Sequence, residues 1–222
     1  DVQTDEHGYT EIDPPLLVRG ETMTGSGNLP KFKDNLYRDS ESDLWLVPTA
    51  EVALNGLHQG QIIDAGVLPM KYVAQTPSFR KEHTSAGRDV RGIKRVHQFE
   101  KVEMFRYVEP DTSVEALEEM VAEAETLCQR LGLIYRVLKL CAGDIGFQSA
   151  KTYDIEVWSP GCAEWLEVSS ISTCTDFQTR RNGTRYRPEV GASTRLPHTL
   201  NGSGLALPRI WIAVIENGLQ ED

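Results

Sequence analysis

Two strand-like runs joined by a basic segment constrain the fold of this chain most strongly. The runs MKYVAQTPSFRKE (70–82) and KRVHQFEKVEMFRYV (94–108) are long enough for strands, and the second alternates between two faces. Between them lies HTSAGRDVRG, which is rich in turn-forming and charged residues. This arrangement predicts a long antiparallel hairpin with an extended, charged loop. In the second strand, Phe99, Lys101 and Glu103 share one face.

A long amphipathic helix and three further strands are predicted after the hairpin. Thr112 and Glu115 have the spacing of a capping box, and Gly132 is a natural helix stop. The strand-like segments that follow are IYRVLKL (134–140), TYDIEVWSP (152–160) and AEWLEVSSISTCTDF (163–177). Because helices do not alternate with these strands, the pattern favours an α+β fold. It predicts a mainly antiparallel β-sheet flanked by helices, rather than a doubly wound parallel sheet.

Four segments outside these elements complete the prediction. Two prolines place YTEIDPPLLV (9–18) at a sheet edge or a strand end. ETMTGSGNLPKF (21–32) is predicted to be a glycine-rich loop, and DLWLVPTAEVAL (43–54) a short strand followed by a turn or helix start. TLNGSGLALPR (199–209) is predicted to be a glycine-rich turn that leads into an apolar helix.

Composition narrows the class of protein. The 222 residues suffice for one sizeable core or two small domains, and the longest apolar runs are too short to span a membrane. The formal net charge of -10 argues against general coating of nucleic acid, but not against a local basic patch. No basic and apolar leader opens the chain, so we expect a cytoplasmic protein without a membrane anchor.

The four cysteines carry little signal. None forms a C-x-x-C pair, which in a chain of this length indicates reduced thiols. Cys162 and Cys174, with Glu164 between them, could hold a metal such as zinc. Small buried apolar side chains are the favoured interpretation.

Four short motifs have the residue types of a nucleotide-dependent enzyme. Arg80 could hold polyphosphate through a guanidinium fork, although a surface hairpin with ion pairs has the same pattern. EVSS (167–170) could bind Mg²⁺ through oxygens, or be a polar strand face. TLNGSG and Arg209 could approach a ligand closely, or form a loop-to-helix connection. PTAEV (48–52) could belong to such a site, or it could simply be the start of a helix.

Together and in this order, the motifs resemble one known family. The segments are GYTEIDPPLLV, TAEV, FRKEHTSAGRDVRGIKRVHQFEKVE, YDIEVW, EVSSISTCTDFQTRR and TLNGSGLALPRIWIAVIEN. They resemble the catalytic domain of seryl-tRNA synthetase, a class II aminoacyl-tRNA synthetase. The resemblance covers nearly the whole chain and implies a single catalytic domain over 1–222, truncated at both ends relative to the family. It also implies that this chain lacks the family's N-terminal coiled-coil arm for tRNA, and that the motif 1 helix that builds the family's homodimer is cut.

The resemblance also implies an activity and a set of site residues. The activity is ATP-dependent conversion of L-serine to seryl-adenylate with release of pyrophosphate, followed by transfer of serine to the 3′ end of tRNA(Ser). Arg80 and Arg209 would be catalytic, and Mg²⁺ would be held by Glu167 and Ser170. ATP would be bound by Arg80, Lys81, Glu82, Arg95, Val96, Phe99, Glu167, Val168, Ser169, Ser170 and Arg209. Serine would be bound by Thr49, Ala50, Glu51, Arg80, Glu103, Asn201 and Ser203. The tRNA acceptor end would be contacted by Arg88, Arg91 and Lys94.

Two other functions stay open at this point. A seryl-like amino acid:carrier protein ligase would lack the tRNA arm, but would bind its amino acid through zinc. A non-catalytic, synthetase-like binding module would be expected to have lost Arg80, Glu82, Glu103 or Arg209, and all four are present.

Overall fold

The computed structural model describes residues 1–82 and 92–219. Within these ranges the strands are β1 (Thr10–Glu11), β2 (Leu17–Arg19), β3 (Leu44–Leu46), β4 (Ile62–Ile63), β5 (Met70–Phe79), β6 (Gln98–Val108), β7 (Tyr135–Lys139), β8 (Lys151–Ser159), β9 (Glu164–Thr175), β10 (Arg185–Tyr186) and β11 (His198–Ala206). The α-helices are α1 (Gly20–Ser26), α2 (Glu51–Gly56), α3 (Ser113–Arg130), α4 (Phe177–Asn182) and α5 (Leu207–Gly218).

Seven strands form one large sheet in the order β1-β5-β6-β11-β9-β8-β7. β1 pairs with β5 in parallel, and the other pairs in this sheet are antiparallel. The paired strands of the predicted hairpin are confirmed, because β5 and β6 pair from Met70 opposite Tyr107 to Phe79 opposite Gln98. Residues 83–91 of the predicted charged loop lie outside the described residues. The proline-containing segment lies at the sheet edge as predicted, through β1.

The two faces of the sheet differ sharply in chemistry. Ile155, Ile171 and Leu200 project from β8, β9 and β11 into a core that includes Leu117 and Met120 of α3, and all five are fully buried. Since side chains alternate along a strand, the neighbouring residues face the opposite side. Those neighbours are polar: Asp154, Ser170 and Asn201. Along β8, β9 and β11, one face therefore packs in this core and the other is available for a polar site. On β6 the cavity-side face also carries Phe105 and Tyr107, which pack in a second apolar cluster.

The predicted long helix is confirmed, but its N-terminus differs from the prediction. Gly132 has a φ of 65°, the left-handed conformation of a helix stop. Thr112 makes no side-chain cap of α3, and its hydroxyl donates to the carbonyl of Glu109 at 3.1 Å. The chain enters the helix through a single tight turn over Pro110–Thr112, so the threonine hydroxyl bonds back into that turn.

The prediction of a loop at residues 21–32 was wrong for its first part, which is helix α1. Met23 is fully buried and packs with Leu36 and Trp45. Gly25 lies against Asn182, where an added Cβ would come within 2.9 Å of the asparagine Cβ. Tertiary packing that requires a small residue thus outweighs the weak helix propensity of glycine and threonine.

The prediction of a turn at residues 199–206 was also wrong, since these residues belong to the central strand β11. Its glycines meet side chains of the neighbouring strands rather than solvent. A Cβ on Gly202 would lie 2.9 Å from Cγ1 of Ile171, and one on Gly204 would lie 3.0 Å from Cγ1 of Val102. Glycine here makes room for close packing within a sheet and does not mark a turn.

We expect Gly202→Ala to destabilise the protein by roughly 1–3 kcal/mol, because Ile171 must move to accept the methyl group. Urea unfolding followed by circular dichroism would measure this change. Gly218→Ala is the control, since no atom lies within 4 Å of the added Cβ. Equal unfolding midpoints for the two variants would contradict the packing argument.

A buried arginine joins the N-terminal segment to the sheet and α3. Arg106 on β6 is 1% exposed, and its Nε donates to the Tyr9 hydroxyl at 2.8 Å. Its NH1 lies 2.7 Å from Glu119 Oε2, and its NH2 lies 2.6 Å from Glu123 Oε1. Tyr9 in turn donates to Glu123 at 2.7 Å. The network therefore satisfies the buried guanidinium on three sides.

No helix in residues 1–82 and 92–219 is both long enough and apolar enough to cross a membrane. The four cysteines are free thiols, as predicted, with Cys128 and Cys174 buried and Cys141 exposed.

Candidate active site

One cavity of about 520 Å³ opens on the polar face of the sheet. Its walls come from the ends of β5 and β6, from β8, β9 and β11, and from the starts of α2 and α5. Most of the site residues predicted from the sequence line it: Thr49, Glu51, Arg80, Lys94, Arg95, Val96, Phe99, Glu103, Glu167, Val168, Ser170, Asn201, Ser203 and Arg209.

One end of the cavity is acidic and buried. Glu51 and Glu103 are 5% and 2% exposed. Glu51 accepts hydrogen bonds from the amides of Gln178 at 2.6 Å and Asn201 at 3.0 Å. Ser203 lies directly opposite Glu103 in the β11–β6 pairing. This end therefore offers carboxylates and small polar groups to a small ligand with cationic and hydroxyl groups.

Lys101 is the buried cation of this end. Its ammonium forms an ion pair with Glu103 and donates to Thr49 Oγ1 at 2.8 Å. Glu51 has neutral amide donors as its hydrogen-bond partners. Burial, and then the nearby Glu103, raise the pKa of Glu51 to about 7, against weaker opposing effects that include Lys101 and Arg80.

We expect this carboxyl to make folding stability depend on pH. Its pKa is about 7 when folded and 4.5 as a model compound, so the folded state retains a proton that the unfolded state loses between these values. The contribution is fully present below pH 4.5 and is lost as pH rises through 7. In Glu51→Gln this pH dependence of the free energy of unfolding should vanish. Between pH 4.5 and 8, the change in unfolding free energy should therefore differ by about 3 kcal/mol between the variant and the unaltered chain. Urea titrations at pH 4.5 to 8 would measure it, and parallel profiles would contradict the assignment.

The cavity also has cationic walls. The Arg80 guanidinium lies 5.1 Å from the ring centroid of Phe99, and its Nε donates to the Pro48 carbonyl at 3.1 Å. Burial lowers the pKa of Arg80, and Glu103 opposes this shift. The stacked and hydrogen-bonded guanidinium is held in place before a ligand arrives.

Arg209 reaches the cavity from the first turn of α5. Its NH1 donates to the Glu167 carbonyl at 2.8 Å and lies 3.7 Å from Glu167 Oε2. Just before the helix, β11 bulges between Ser203 and Ala206, and Leu205 has a φ of 88°. A leucine in this conformation is strained, and such strain is common where a bulge aims a functional group.

Oxygen groups suited to a hard divalent cation also line the cavity. Glu167, Ser170 and Asp154 line the same region of the cavity. The Oδ1 atom of Asp154 is buried and has no hydrogen-bond partner, and burial raises the pKa of this carboxyl to about 6. A carboxylate, a hydroxyl and an unpartnered carboxylate oxygen fit the ligand preference of Mg²⁺.

Four predicted site residues do not line the cavity. Ala50 is fully buried in a core cluster, and the Ser169 hydroxyl donates to the Ser203 carbonyl at 2.6 Å. Strand alternation explains Ser169, because Ser170 and not its neighbour faces the cavity. The Lys81 ammonium lies 5.5 Å from the centroid of the Tyr37 ring, and Glu82 lies 3.6 Å from Arg95 NH1.

The predicted tRNA-contacting residues are only partly described. Lys94 lines the cavity and forms an ion pair with Glu164. Arg88 and Arg91 lie outside the described residues.

The sequence interpretation missed three residues of the site. Strand alternation places Lys101 on the correct face, but a lysine in a basic segment looks solvent-exposed in sequence. Asp154 lies in the quoted motif YDIEVW. Its place in the site becomes apparent only from the strand pairing, which puts it opposite Ser170 on β9. Gln178 has no sequence signal, because its role is to hold Glu51 from a distant helix.

The cysteine pair considered as a metal site is not assembled in the structure. The Cys162 thiol contacts Glu216 Oε1 at 3.5 Å, and Asn201 Nδ2 donates to Cys174 at 3.4 Å. Among the residues that the structure describes, no group of three or more His, Cys, Asp or Glu side chains could hold a metal ion.

Comparison with known proteins identifies the family. The sequence model of the tRNA synthetase class II core domain (G, H, P, S and T) matches residues 31–218. The chain belongs to this family. The class II core fold predicted from the motifs is thereby confirmed, with its large, mainly antiparallel sheet flanked by helices.

Individual class II synthetases are similar over almost the whole chain. Serine–tRNA ligase of Thermomicrobium roseum is 60% identical over 222 residues, which are 100% of this chain and 50% of that protein. The structure of seryl-tRNA synthetase from Pyrococcus horikoshii complexed with ATP matches with a TM-score of 0.95 and 44% identity, over 99% of this chain and 49% of that one. Cytoplasmic serine–tRNA ligase of Naegleria fowleri in complex with AMP matches with a TM-score of 0.90 and 34% identity, over 99% and 52%. The chain thus spans about half the length of these relatives.

Proposed function

We propose that this chain activates L-serine with ATP, forming seryl-adenylate and pyrophosphate. In the longer proteins that it matches, the seryl group would then pass to the 3′ end of tRNA(Ser). The observation that carries this proposal is a cavity that brings the buried carboxylates of Glu51 and Glu103 together with Arg80 and Arg209. The ATP and AMP bound by the two solved relatives support it.

The acidic end suits the amino acid. Its ammonium group would face the Glu103 and Glu51 carboxylates, and its hydroxyl would bond to the polar groups of Thr49, Asn201 and Ser203. Binding alanine would leave these groups unpaired, which makes its rejection strong. Ala50 would act only by shaping the backbone beside Thr49.

The arginine-lined end suits the reaction. A carboxylate oxygen of serine attacks the α-phosphorus, the bond to the β-phosphate oxygen breaks, and pyrophosphate leaves with the electron pair. Such a reaction needs alignment and charge neutralisation rather than a covalent enzyme intermediate. Arg80 would contact the α-phosphate and carboxylate, and Arg209 would hold the γ-phosphate.

The remaining predicted residues would bind the nucleoside and the cation. Phe99 would stack on adenine beside Val96, with the Glu82–Arg95 pair nearby. Lys81, Val168 and Ser169 would support this end. Glu167 and Ser170 would hold Mg²⁺, which when bound supplies neutralisation of the phosphate charge.

The tRNA acceptor end would approach over the basic segment. Arg88, Arg91 and Lys94 would contact its phosphates. The resemblance also supports a cytoplasmic protein from a family of homodimers. The motif 1 helix that builds the family's dimer is cut in this chain.

Amino-acid-dependent exchange of pyrophosphate into ATP tests the proposal. The purified chain would be assayed with Mg²⁺ and serine, alanine, threonine, glycine or cysteine, with and without a zinc chelator. We expect exchange with serine that survives the chelator. Exchange with alanine or glycine that stops on chelation would instead assign a carrier-protein ligase.

A binding measurement tests the proposed specificity even if the chain does not catalyse the exchange. The non-reactive analogue seryl-sulfamoyl-adenosine would be titrated calorimetrically beside its alanyl counterpart. We expect clear preference for the seryl compound, even if exchange is slow. A chain that shows no exchange and binds neither compound would refute the proposed function and favour a non-catalytic module.

A further inference from the structure

Lys101 is a buried cation to which the reaction proposed above gives no role. It lies on β6 with Phe99 and Glu103 on the face that lines the cavity, and it is 7% exposed. A buried ammonium group costs free energy unless its charge is paired and its protons are accepted. Its two partners, Glu103 and Thr49, therefore indicate what this lysine does.

The contact with Thr49 fixes the direction of a hydrogen bond. The Lys101 ammonium donates to Thr49 Oγ1 at 2.8 Å. An ammonium group has three donors and no acceptor, so the threonine oxygen can only accept in this contact. The single proton of the Thr49 hydroxyl must then point elsewhere. Within residues 1–82 and 92–219, no group accepts a hydrogen bond from this hydroxyl.

The surroundings of Thr49 direct that proton into the cavity. Thr49 is itself 7% exposed, and it lines the cavity. Its carbonyl accepts a hydrogen bond from the Val52 amide at 3.3 Å, in the turn that opens α2, so its backbone is held in place. A buried hydroxyl proton without an acceptor is costly, and a ligand in the cavity can supply the acceptor.

Glu103 offers the opposite polarity beside this donor. It is 2% exposed, forms an ion pair with Lys101 and lines the same cavity. An ionised carboxylate accepts hydrogen bonds and donates none. Lys101 thus links a donor, the Thr49 hydroxyl, to an acceptor, the Glu103 carboxylate. A ligand hydroxyl, which accepts and donates, satisfies both groups, whereas a methyl group satisfies neither.

We propose that Lys101 is a positioning residue for the hydroxyl group of the amino acid. By donating to Thr49, it turns the threonine proton toward the hydroxyl oxygen of bound serine. Glu103 then accepts the proton of that serine hydroxyl. This inference rests on the proposed function, since it deepens the selection of serine at the same cavity.

The test compares the binding of two analogues and needs no catalysis. Seryl-sulfamoyl-adenosine and its alanyl counterpart would be titrated calorimetrically into the unaltered chain and into Lys101→Met. We expect the ratio of the two affinities to fall by roughly 5- to 10-fold in the variant, the loss of one directed hydrogen bond. The ratio cancels any change that acts equally on both compounds, such as the altered charge around Glu103.

Further variants separate the hydrogen bond from the charge. Lys101→Arg keeps a cation that can only donate, and it should retain most of the preference for the seryl compound. Thr49→Val should lose as much preference as Lys101→Met, and the double variant should lose little more, because the two groups act together. Lys71→Met is the control. It removes a partly buried lysine of β5 that lies 3.5 Å from Glu123 and does not line the cavity, so the preference should be unchanged.

Other outcomes would overturn the inference. If Lys101→Met weakens the binding of both compounds equally, Lys101 only supports the structure of the cavity. If Lys101→Met does not fold, as judged by circular dichroism, Lys101→Gln replaces it, because its amide oxygen can accept the Thr49 proton and the preference should again fall. A full preference in Thr49→Val would refute the role of the threonine proton. An unaltered chain that shows no preference for the seryl compound would instead refute the proposed function.

Discussion

Arg80→Ala should reduce serine-dependent pyrophosphate exchange by about 10³-fold or more. This is the range expected when a preorganised arginine that neutralises transferring phosphate is removed. Arg80 is fixed by stacking on Phe99 and by the Pro48 carbonyl, so its guanidinium costs little reorganisation during the reaction. The exchange assay at saturating ATP and serine measures the effect.

Two further variants define the cause of that loss. Arg80→Lys keeps the charge but not the planar fork, and we expect it to remain defective by about 10²-fold. Arg180→Ala is the control, because Arg180 is an exposed arginine of α4 whose partner is Asp176, the residue just before that helix. Activity of Arg80→Ala within a few-fold of the unaltered chain would contradict the assigned role.

Arg106→Ala should have the largest effect on stability, a loss of about 3–5 kcal/mol. The substitution leaves the mostly buried Glu123 without its guanidinium and removes the acceptor role of the Tyr9 hydroxyl, besides opening a cavity. Urea unfolding at neutral pH would measure it. Most of this loss comes from leaving the partners of Arg106 buried without a hydrogen bond, because they stay desolvated when the guanidinium is removed.

Arg130→Ala provides a matched comparison. Arg130 also pairs with a glutamate of the N-terminal segment, with NH1 2.8 Å from Glu6 Oε1, but both side chains are about half exposed. Solvent screening makes such pairs weak, so we expect a much smaller change. Similar unfolding midpoints for Arg106→Ala and Arg130→Ala would show that burial of Arg106 does not matter as argued.

Sequence patterns predicted the parts of the fold in which local periodicity and tertiary packing agree. The β5–β6 hairpin is the clearest case, because strand alternation and burial of Met104 and Glu103 on opposite faces coincide. Helices α3 and α5 were predicted for the same reason, from apolar stripes and, for α3, a glycine stop.

The failures lie where glycine serves packing instead of chain reversal. In α1, Gly25 touches Asn182, and in β11, Gly202 touches Ile171. Both partners are distant in sequence, so no local pattern could reveal them. A glycine that avoids a clash and a glycine that forms a turn look identical in a single sequence.

The candidate site shows a similar limit. Arg80, Glu103 and Arg209 could be predicted because their motifs are read as units. Lys101 and Asp154 could not, because their roles depend on burial and on a partner strand. Sequence supplies the chemical groups, whereas the fold decides which of them lose contact with water.

The central position of β11 has a consequence for the proposed selection of serine. β11 is the fourth of seven strands and is paired on both sides, with β6 and β9. The backbone amides of Asn201 and Gly202 should therefore be among the slowest to exchange with deuterium, since they open only with the sheet itself. A cavity wall formed by such a strand should move too little to make room for an extra methyl group on the amino acid. Rejection of a larger amino acid would then be a steric property of the resting protein, already present before any substrate binds.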